Sequence, residues 1–163
     1  MPAIAFAIAI IYSCSTNDAD YQSQYSIMIN QYISYWNSGK FENIDQLLCD
    51  DFELRMTPRF EPEQGIASFK NSVTFWRNAY PDFHITIDEA VYSKNAATLR
   101  WRITATNTGP GSHPPTGNRI DVPGISLFHF EEGKIKDEWI ASNNYLWLQQ
   151  LGFTLEAPPF DEN

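Results

Sequence analysis

Apolar residues recur every three or four positions in two stretches of this chain, residues 21–36 and 66–80. This spacing places them along one face of a helix, which predicts two amphipathic helices that pack against a core. The first helix is predicted to end at Gly39, because glycine readily takes the left-handed conformation that terminates a helix. The second is predicted to end before Pro81, because the residue that precedes a proline is disfavoured in a helix.

Apolar and polar residues alternate in several other stretches, with the period of a half-buried strand. The predicted strands cover residues 51–56, 83–88, 97–106, 124–130 and 135–143, and short helices are predicted over 44–49 and 144–152. A loop rich in glycine and proline, residues 108–117, precedes the last two strands. Helices followed by a run of antiparallel strands indicate an α+β fold, with the helices packed on one face of the sheet.

The turn of the last hairpin decides which side chains of its two strands share a face. A three-residue loop, 131–133, with Gly133 in the left-handed conformation would place His129 and Asn143 on the same face, where both could point into one cavity. A two-residue loop, 132–133, would place them on opposite faces. The three-residue loop is favoured, because a two-residue type I′ turn prefers Asn or Asp before the glycine and glutamate is a poor left-handed residue.

The composition narrows the class of protein. A chain of 163 residues is long enough for one domain with a buried core, and 43% hydrophobic residues are typical of a packed globular protein. The formal net charge of -9 argues against nucleic acid as a partner, since phosphate binding requires a basic surface. No metal site is expected, because the histidines lie far apart and none has a second Cys or His at ligand spacing: His84, His113 and His129.

Residues 1–13 are expected to belong to targeting rather than to the fold. Residues 2–11 form an uninterrupted small and apolar run, shorter than the roughly 20 residues of a membrane-spanning helix and typical of a secretory signal. Residues 11–14, Ile-Tyr-Ser-Cys, resemble the lipobox of bacterial lipoproteins, which implies a lipid on Cys14 and an exported protein anchored to a bacterial membrane. Residues 14–20 would then form a polar tether. The alternative is that the first residues form a buried apolar segment.

The second cysteine, Cys49, follows the short helical stretch in the middle of the chain. If Cys14 carries lipid, Cys49 is unpaired and is expected to be a small buried hydrophobic side chain. A disulfide between the two remains the alternative in an exported protein, although it would tie the tether to the core.

Five short segments of the chain are informative through their order and spacing. They are residues 36–39 (Trp-Asn-Ser-Gly), 80–82 (Tyr-Pro-Asp), 115–117 (Pro-Thr-Gly), 133–139 (Gly-Lys-Ile to Trp) and 149–152 (Gln-Gln-Leu-Gly). Together they resemble SnoaL-like polyketide cyclases, also called ester cyclases, of the nuclear transport factor 2-like superfamily. The resemblance covers roughly residues 25–153. It implies one domain over 21–157, with a C-terminal tail at 158–163, in which a strongly curved antiparallel sheet wraps around helices as a cone with an apolar pocket.

Members of this family close a ring by intramolecular aldol condensation, without metal or cofactor. Their catalytic Asp corresponds to Asn143 here, and His129 falls where they can carry a second catalytic residue. Aldol closure needs a base that removes a proton beside a carbonyl and an acid that protonates the product oxygen. Because a carboxamide does neither, the resemblance leaves His129 as the base and Asn143 as a hydrogen-bonding group for a carbonyl.

Each candidate residue also has a purely structural interpretation. His129 could be a hydrogen-bonded, half-buried strand residue, and Asn143 could cap the last helix. His113 is interpreted as an exposed loop residue. Five aromatic residues could line a ligand pocket or form plain core: Trp36, Phe69, Trp76, Trp101 and Trp139.

Three classes of function follow from these alternatives. The first is cofactor-free acid–base chemistry on a small, largely apolar carbonyl compound. The second is a binding module that holds such a compound without reacting with it. The third is a homodimer or interaction domain that uses the outer face of the sheet. In all three, a membrane is expected as a partner only through the lipid anchor.

Overall fold

The computed structural model describes residues 16–57 and 61–156, which contain four helices and six strands. The helices are α1 (Thr16–Ser38), α2 (Ile44–Leu47), α3 (Gly65–Ala79) and α4 (Asn144–Gln150). The strands are β1 (Leu48–Met56), β2 (Glu63–Gln64), β3 (His84–Tyr92), β4 (Ala96–Thr106), β5 (Arg119–Glu131) and β6 (Lys134–Ser142). The order of these elements confirms the predicted α+β class.

The strands form one curved sheet that does not close on itself, in the order β2-β1-β6-β5-β4-β3. β1 lies parallel to β6, and the other neighbouring pairs are antiparallel. The parallel pair differs from the predicted run of antiparallel strands. It is sterically allowed because a long stretch of chain, which includes α3, separates β1 from β6, whereas strands joined by a tight turn must be antiparallel.

The core lies between the helices and one face of this sheet. Along β5 the even-numbered residues 120–130 are buried and the odd-numbered residues 119–131 are exposed. α1 and α3 cover the buried face, where the ring of Tyr32 stacks on Phe69 with centroids 5.0 Å apart and meets Phe128 edge-on at 5.3 Å. The odd-numbered positions of β5 therefore point to the outer face of the sheet.

The hairpin between β5 and β6 has a two-residue loop, so the predicted three-residue loop was wrong. Glu131 pairs with Lys134. Both intervening residues, Glu132 with φ of 50° and Gly133 with φ of 78°, adopt the left-handed conformation of a type I′ turn. The right-handed twist of the two strands favours this turn strongly enough to hold a glutamate in that conformation.

A β-bulge follows the turn and changes which residues share a face. Phe130 pairs with Ile135 and His129 pairs with Asp137, so Lys136 is the additional residue on β6. Beyond the bulge, His129 and Asp137 lie together on the outer face. Glu138 lies on the inner face instead.

The first helix begins earlier than the apolar pattern indicated. α1 starts at Thr16, so residues 16–20, which were expected to form part of a tether, are helical. The expected signal segment, Cys14 and the C-terminal tail 158–163 lie outside the described residues. Within the described ranges, none of the helices has the length and apolar character that crossing a bilayer requires.

Candidate functional site

An apolar cavity of about 380 Å³ lies between the helices and the inner face of the sheet. Residues of α1, α3, α4, β1, β3, β4 and β6 form its walls, together with residues of the loops that follow β1, α3 and β4. Most of the large side chains in the lining are aromatic: Trp36, Phe75, Trp76, Tyr80, Phe83, Trp101 and Trp147. Among the described residues, no lysine or arginine lines this cavity. The lining therefore suits a small, largely apolar molecule without negative charge.

Glu138 brings a carboxyl group to this apolar lining. It lies on β6 between Phe128 of β5 and Leu54 of β1, and it is only 3% exposed. The Tyr32 hydroxyl donates a hydrogen bond to Glu138 Oε2 at 2.5 Å. Ser126 is buried on the same inner face of the sheet, and its hydroxyl also lowers the pKa of this carboxyl group. The hydrogen bond from Tyr32 thus holds the carboxyl at the cavity wall.

The surroundings of Glu138 change its ionisation. Burial raises the pKa of Glu138 from 4.5 to about 7, and the hydroxyl groups of Tyr32 and Ser126 oppose that rise. Burial and the neighbouring Glu138 carboxylate raise the pKa of Tyr32 well above 10, so Tyr32 remains a protonated donor. A carboxyl group with a pKa of about 7 has both of its protonation states populated at neutral pH, as a group that accepts and returns a proton requires.

A comparison with known families decides the assignment. The family model of SnoaL-like polyketide cyclases matches residues 26–151, which include the walls of the cavity and Glu138. The chain belongs to the SnoaL-like polyketide cyclase family. No curated protein is similar enough to the chain to count as a match.

Solved structures confirm the cone fold of this SnoaL-like domain. TsrD from Streptomyces laurentii is 22% identical with a TM-score of 0.72, over 80% of this chain and 96% of TsrD. A candidate SnoaL-like polyketide cyclase from a Jannaschia species is 15% identical with a TM-score of 0.73, over 90% of this chain and 99% of its own. A candidate polyketide cyclase from Bacillus cereus is 25% identical with a TM-score of 0.67, over 80% of this chain and 81% of its own.

The SnoaL-like domain does not bring His129 and Asn143 together in the cavity. His129 lies on the outer face with 46% of its side chain exposed, and its Nδ1 is 2.7 Å from Oδ1 of Asp137. The prediction that it faces the cavity was wrong, because odd-numbered residues of β5 point outward. The side chain of Asn143 caps α4, where its Oδ1 accepts a hydrogen bond from the N–H of Leu146 at 2.9 Å.

The aromatic residues expected to bind a ligand fall into two groups. Trp36, Trp76 and Trp101 line the cavity. Phe69 is buried in the core between α1, α3 and β1, and Trp139 is 51% exposed on the outer face. The guanidinium carbon of Arg55 lies 4.9 Å from the ring centre of Trp139, which is a typical cation–π distance.

Two cavity residues were not identified from the sequence. Glu138 was missed because the face of the hairpin that carries His129 and Asp137 was expected to point into the cavity, whereas it is the outer face. His113 was expected to be an exposed loop residue, whereas it lines the cavity with its ring 5.2 Å from that of Phe153. Glu138 pairs with Phe128, so assigning the Phe128 face of β5 to the interior would have identified Glu138 as a buried carboxyl and a candidate acid–base group.

Proposed function

We propose that this SnoaL-like domain performs cofactor-free acid–base chemistry on a small, largely apolar carbonyl compound held in the cavity, and that Glu138 is the acid–base group. One observation supports this proposal above the others. Glu138, a residue that is only 3% exposed, places a carboxyl group with a pKa raised to about 7 in a cavity lined by aromatic rings. Such a perturbed group in a cleft is typical of a general acid or base.

The proposed reaction is an intramolecular aldol closure in which Glu138 acts twice. As a carboxylate, it accepts the proton from the carbon beside one substrate carbonyl, and the C–H electron pair becomes part of an enolate. The enolate carbon then bonds to the second carbonyl carbon, whose π electron pair moves to its oxygen. Glu138, now a carboxylic acid, donates its proton to this alkoxide and gives the alcohol. One proton is taken and one is returned, so the reaction consumes neither cofactor nor oxidant.

Exchange of α protons tests the proposal without knowledge of the natural substrate. The probe is ethyl benzoylacetate, a neutral aryl β-keto ester, in deuterated water, followed by NMR with the protein-free rate subtracted. We expect the wild type to accelerate exchange and Glu138→Gln to lose about 10²–10⁴-fold of that acceleration. His129→Ala and Asn143→Asp are matched controls that should keep the rate, because one residue lies on the outer face and the other caps a helix.

A separate measurement of binding distinguishes a catalyst from a binding module. Four tryptophans line the cavity, so quenching of tryptophan fluorescence reports occupancy by the probe: Trp36, Trp76, Trp101 and Trp147. We expect equal quenching of the wild type and Glu138→Gln. If the probe binds to both proteins but neither accelerates proton exchange, the domain is a binding module rather than a catalyst. Exchange that is unaffected by Glu138→Gln would refute the proposal for this residue.

The outer face of the sheet supports a second candidate function, the association of two copies of this chain. It exposes several large apolar side chains: Val91, Ile125, Leu127 and Trp139. Leu127 and Trp139 are directly paired neighbours, and arginines of this face form ion pairs with acidic side chains. Two such faces could meet with their charges locally neutralised. Sedimentation should show a dimer for the wild type and a monomer for Trp139→Lys, and a monomeric wild type would exclude this function.

A further inference from the structure

Tyr80 brings a phenol side chain to the wall of the cavity. The residue follows α3 directly and is only 2% exposed. Its ring stacks on that of Trp76 with the ring centres 6.0 Å apart, and it meets the ring of Trp147 edge-on at 5.5 Å. Both tryptophans also line the cavity. Close packing against two large rings restricts the Tyr80 side chain and gives its hydroxyl a defined position.

The Tyr80 hydroxyl accepts a hydrogen bond and retains its own proton. Nε1 of Trp147 lies 3.0 Å from Oη of Tyr80. An indole N–H can only donate, so this bond does not use the hydroxyl proton. Among the described residues, Tyr80 Oη has no second hydrogen-bond partner. In the part of the chain that the structure describes, the proton thus has no protein acceptor, and a ligand in the cavity can accept it.

The other hydroxyl groups of the lining are less suited to a buried ligand. They belong to Thr57, Ser112 and Ser142. Thr57 and Ser112 are exposed residues, so water competes for their hydroxyl groups. The Ser142 hydroxyl donates a hydrogen bond to Oδ1 of Asn144 at 2.8 Å. Among the hydroxyl groups of the described lining, that of Tyr80 therefore combines burial with a proton that no protein group accepts.

A carbonyl oxygen is the chemical partner that this hydroxyl suits. Such an oxygen accepts hydrogen bonds and cannot donate them, and negative charge develops on it when a base removes the proton from the neighbouring carbon. A donor that is already in place stabilises this charge more strongly in an apolar cavity than in water. Burial raises the pKa of Tyr80 above its ordinary value of 10, and the hydrogen bond from Trp147 opposes that rise. The hydroxyl therefore stays protonated at neutral pH and remains a donor.

We propose that the Tyr80 hydroxyl is a second catalytic group, which donates a hydrogen bond to the carbonyl oxygen of the substrate and stabilises the enolate. Trp147 is a positioning residue, because its N–H holds the hydroxyl. Tyr80 transfers no proton in this step. The proton from the carbon goes to Glu138, and the electron pair of the C–H bond moves to the carbonyl oxygen. The contribution to the rate rests on the proposed function, whereas the hydrogen bond to a bound carbonyl does not.

Infrared spectroscopy of a bound ketone tests this hydrogen bond without any reaction. The probe is acetophenone, a neutral aryl ketone, and the difference between complexes with carbon-13 and carbon-12 at its carbonyl isolates the C=O band. The pH is kept above the Glu138 pKa of about 7, where Glu138 is a carboxylate and cannot donate to the probe. We expect the wild-type band at a lower frequency than in hexane, because a hydrogen bond weakens the C=O bond. Tyr80→Phe should return the band toward its frequency in hexane.

Tyr35→Phe is the matched control for this substitution. Tyr35 is also 2% exposed, its hydroxyl donates to the carbonyl oxygen of Glu42, and it is not part of the lining. Its substitution should leave the band unchanged. Trp147→Phe is a second variant, which should shift the band in the same direction as Tyr80→Phe because the hydroxyl loses the N–H that holds it. An unchanged band in Trp147→Phe would contradict the positioning role.

The proposal is overturned if Tyr80→Phe leaves the band unchanged. It is also overturned if the wild-type band coincides with that in hexane, or if acetophenone does not quench the cavity tryptophans and therefore does not bind. The last two outcomes are measured on the unaltered chain, so they do not depend on the folding of a variant.

Exchange of α protons from ethyl benzoylacetate then tests whether the hydrogen bond contributes to the rate. Tyr80→Phe should reduce the acceleration about 10²–10³-fold, which is the usual cost of removing one such donor, and Tyr35→Phe should keep it. A shifted infrared band with an unchanged exchange rate would refute the catalytic role of Tyr80. If Glu138→Gln retains full exchange, the proposed function of Glu138 fails, whereas the infrared result still decides whether Tyr80 binds the carbonyl.

Discussion

Glu138→Gln should remove a fall in the free energy of unfolding that the wild type shows as the pH rises, because the buried carboxyl resists ionisation. The pKa of Glu138 is about 7 in the folded protein, against 4.5 for an ordinary glutamate. Between these values the folded protein retains a proton that the unfolded chain releases, so stability falls as the pH rises. The contribution of Glu138 to the free energy of unfolding is therefore complete below pH 4.5 and is lost as the pH rises above about 7.

The magnitude follows from the difference between the two pKa values. A rise from 4.5 to about 7 corresponds to about 3 kcal/mol of stability lost between acidic and alkaline pH. Glutamine cannot ionise, so the variant lacks this loss. The free energy of unfolding of Glu138→Gln minus that of the wild type should therefore increase by about 3 kcal/mol between about pH 4 and pH 8.5.

Urea denaturation at a series of pH values measures this difference. Glu42→Gln, at an exposed glutamate, is the matched control for the loss of one carboxyl group. A difference that stays constant over the whole pH range would refute the argument that Glu138 is a buried carboxyl with a raised pKa. A difference that decreases with pH would show that hydrogen bonding outweighs burial at this site.

Three other substitutions test separate parts of the account. Gly124→Ala should destabilise the fold by about 1–3 kcal/mol in urea denaturation, because the added Cβ displaces the Trp101 ring; unchanged stability would contradict the close approach of this ring to Gly124. Asn143→Ala should lower the free energy of unfolding by about 1 kcal/mol, because α4 loses its cap, and it should leave the rate of proton exchange unchanged. A slower exchange rate at unchanged stability would show that Asn143 takes part in the reaction. Cys14→Ser should move the expressed protein from the detergent phase to the aqueous phase if Cys14 carries lipid; a wild type that stays in the aqueous phase with an intact Met1 by mass spectrometry would exclude the anchor.

Most of the fold could be predicted from the periodicity of the sequence. The apolar stripes over 21–36 and 66–80 predicted α1 and α3, and the alternating stretches predicted the long strands. Periodicity is local, so it could not show that β1 lies beside β6 in parallel orientation. It also could not show that α1 extends back to Thr16, where the sequence is polar.

The candidate site was harder to predict, because it depends on which face of β5 is buried. This strand is apolar at odd positions such as Ile125 and Leu127 and also at even positions such as Phe128 and Phe130. Its alternation alone therefore does not identify the inner face. The prediction placed His129 on the inner face, whereas the odd-numbered residues of β5 lie on the outer face. Because side chains alternate with a period of two, that choice also assigned Glu138, the partner of Phe128, to the wrong face.

The hydrogen-bond partner of the buried Glu138 carboxyl is also distant in sequence. Tyr32 precedes it by 106 residues and donates a hydrogen bond to it from α1. The local periodicity of the sequence does not show which distant residues form such a pair, and a charged residue in a strand is usually exposed to solvent. The resemblance to the family predicted the cone fold correctly, whereas the buried position of Glu138 became evident only from the structure, in which Tyr32 of α1 is hydrogen bonded to it.

The pH dependence of proton exchange tests the central claim, that Glu138 is the acid–base group of the cavity. The rate for ethyl benzoylacetate, with the protein-free rate subtracted, should rise with pH as Glu138 ionises and reach a plateau, with a midpoint at the pKa of about 7. The same midpoint should appear in a carbon-13 NMR titration of the Glu138 carboxyl, and the rise should be absent from Glu138→Gln. A rise that persists in Glu138→Gln, or a midpoint that differs from that of the carboxyl, would contradict the account.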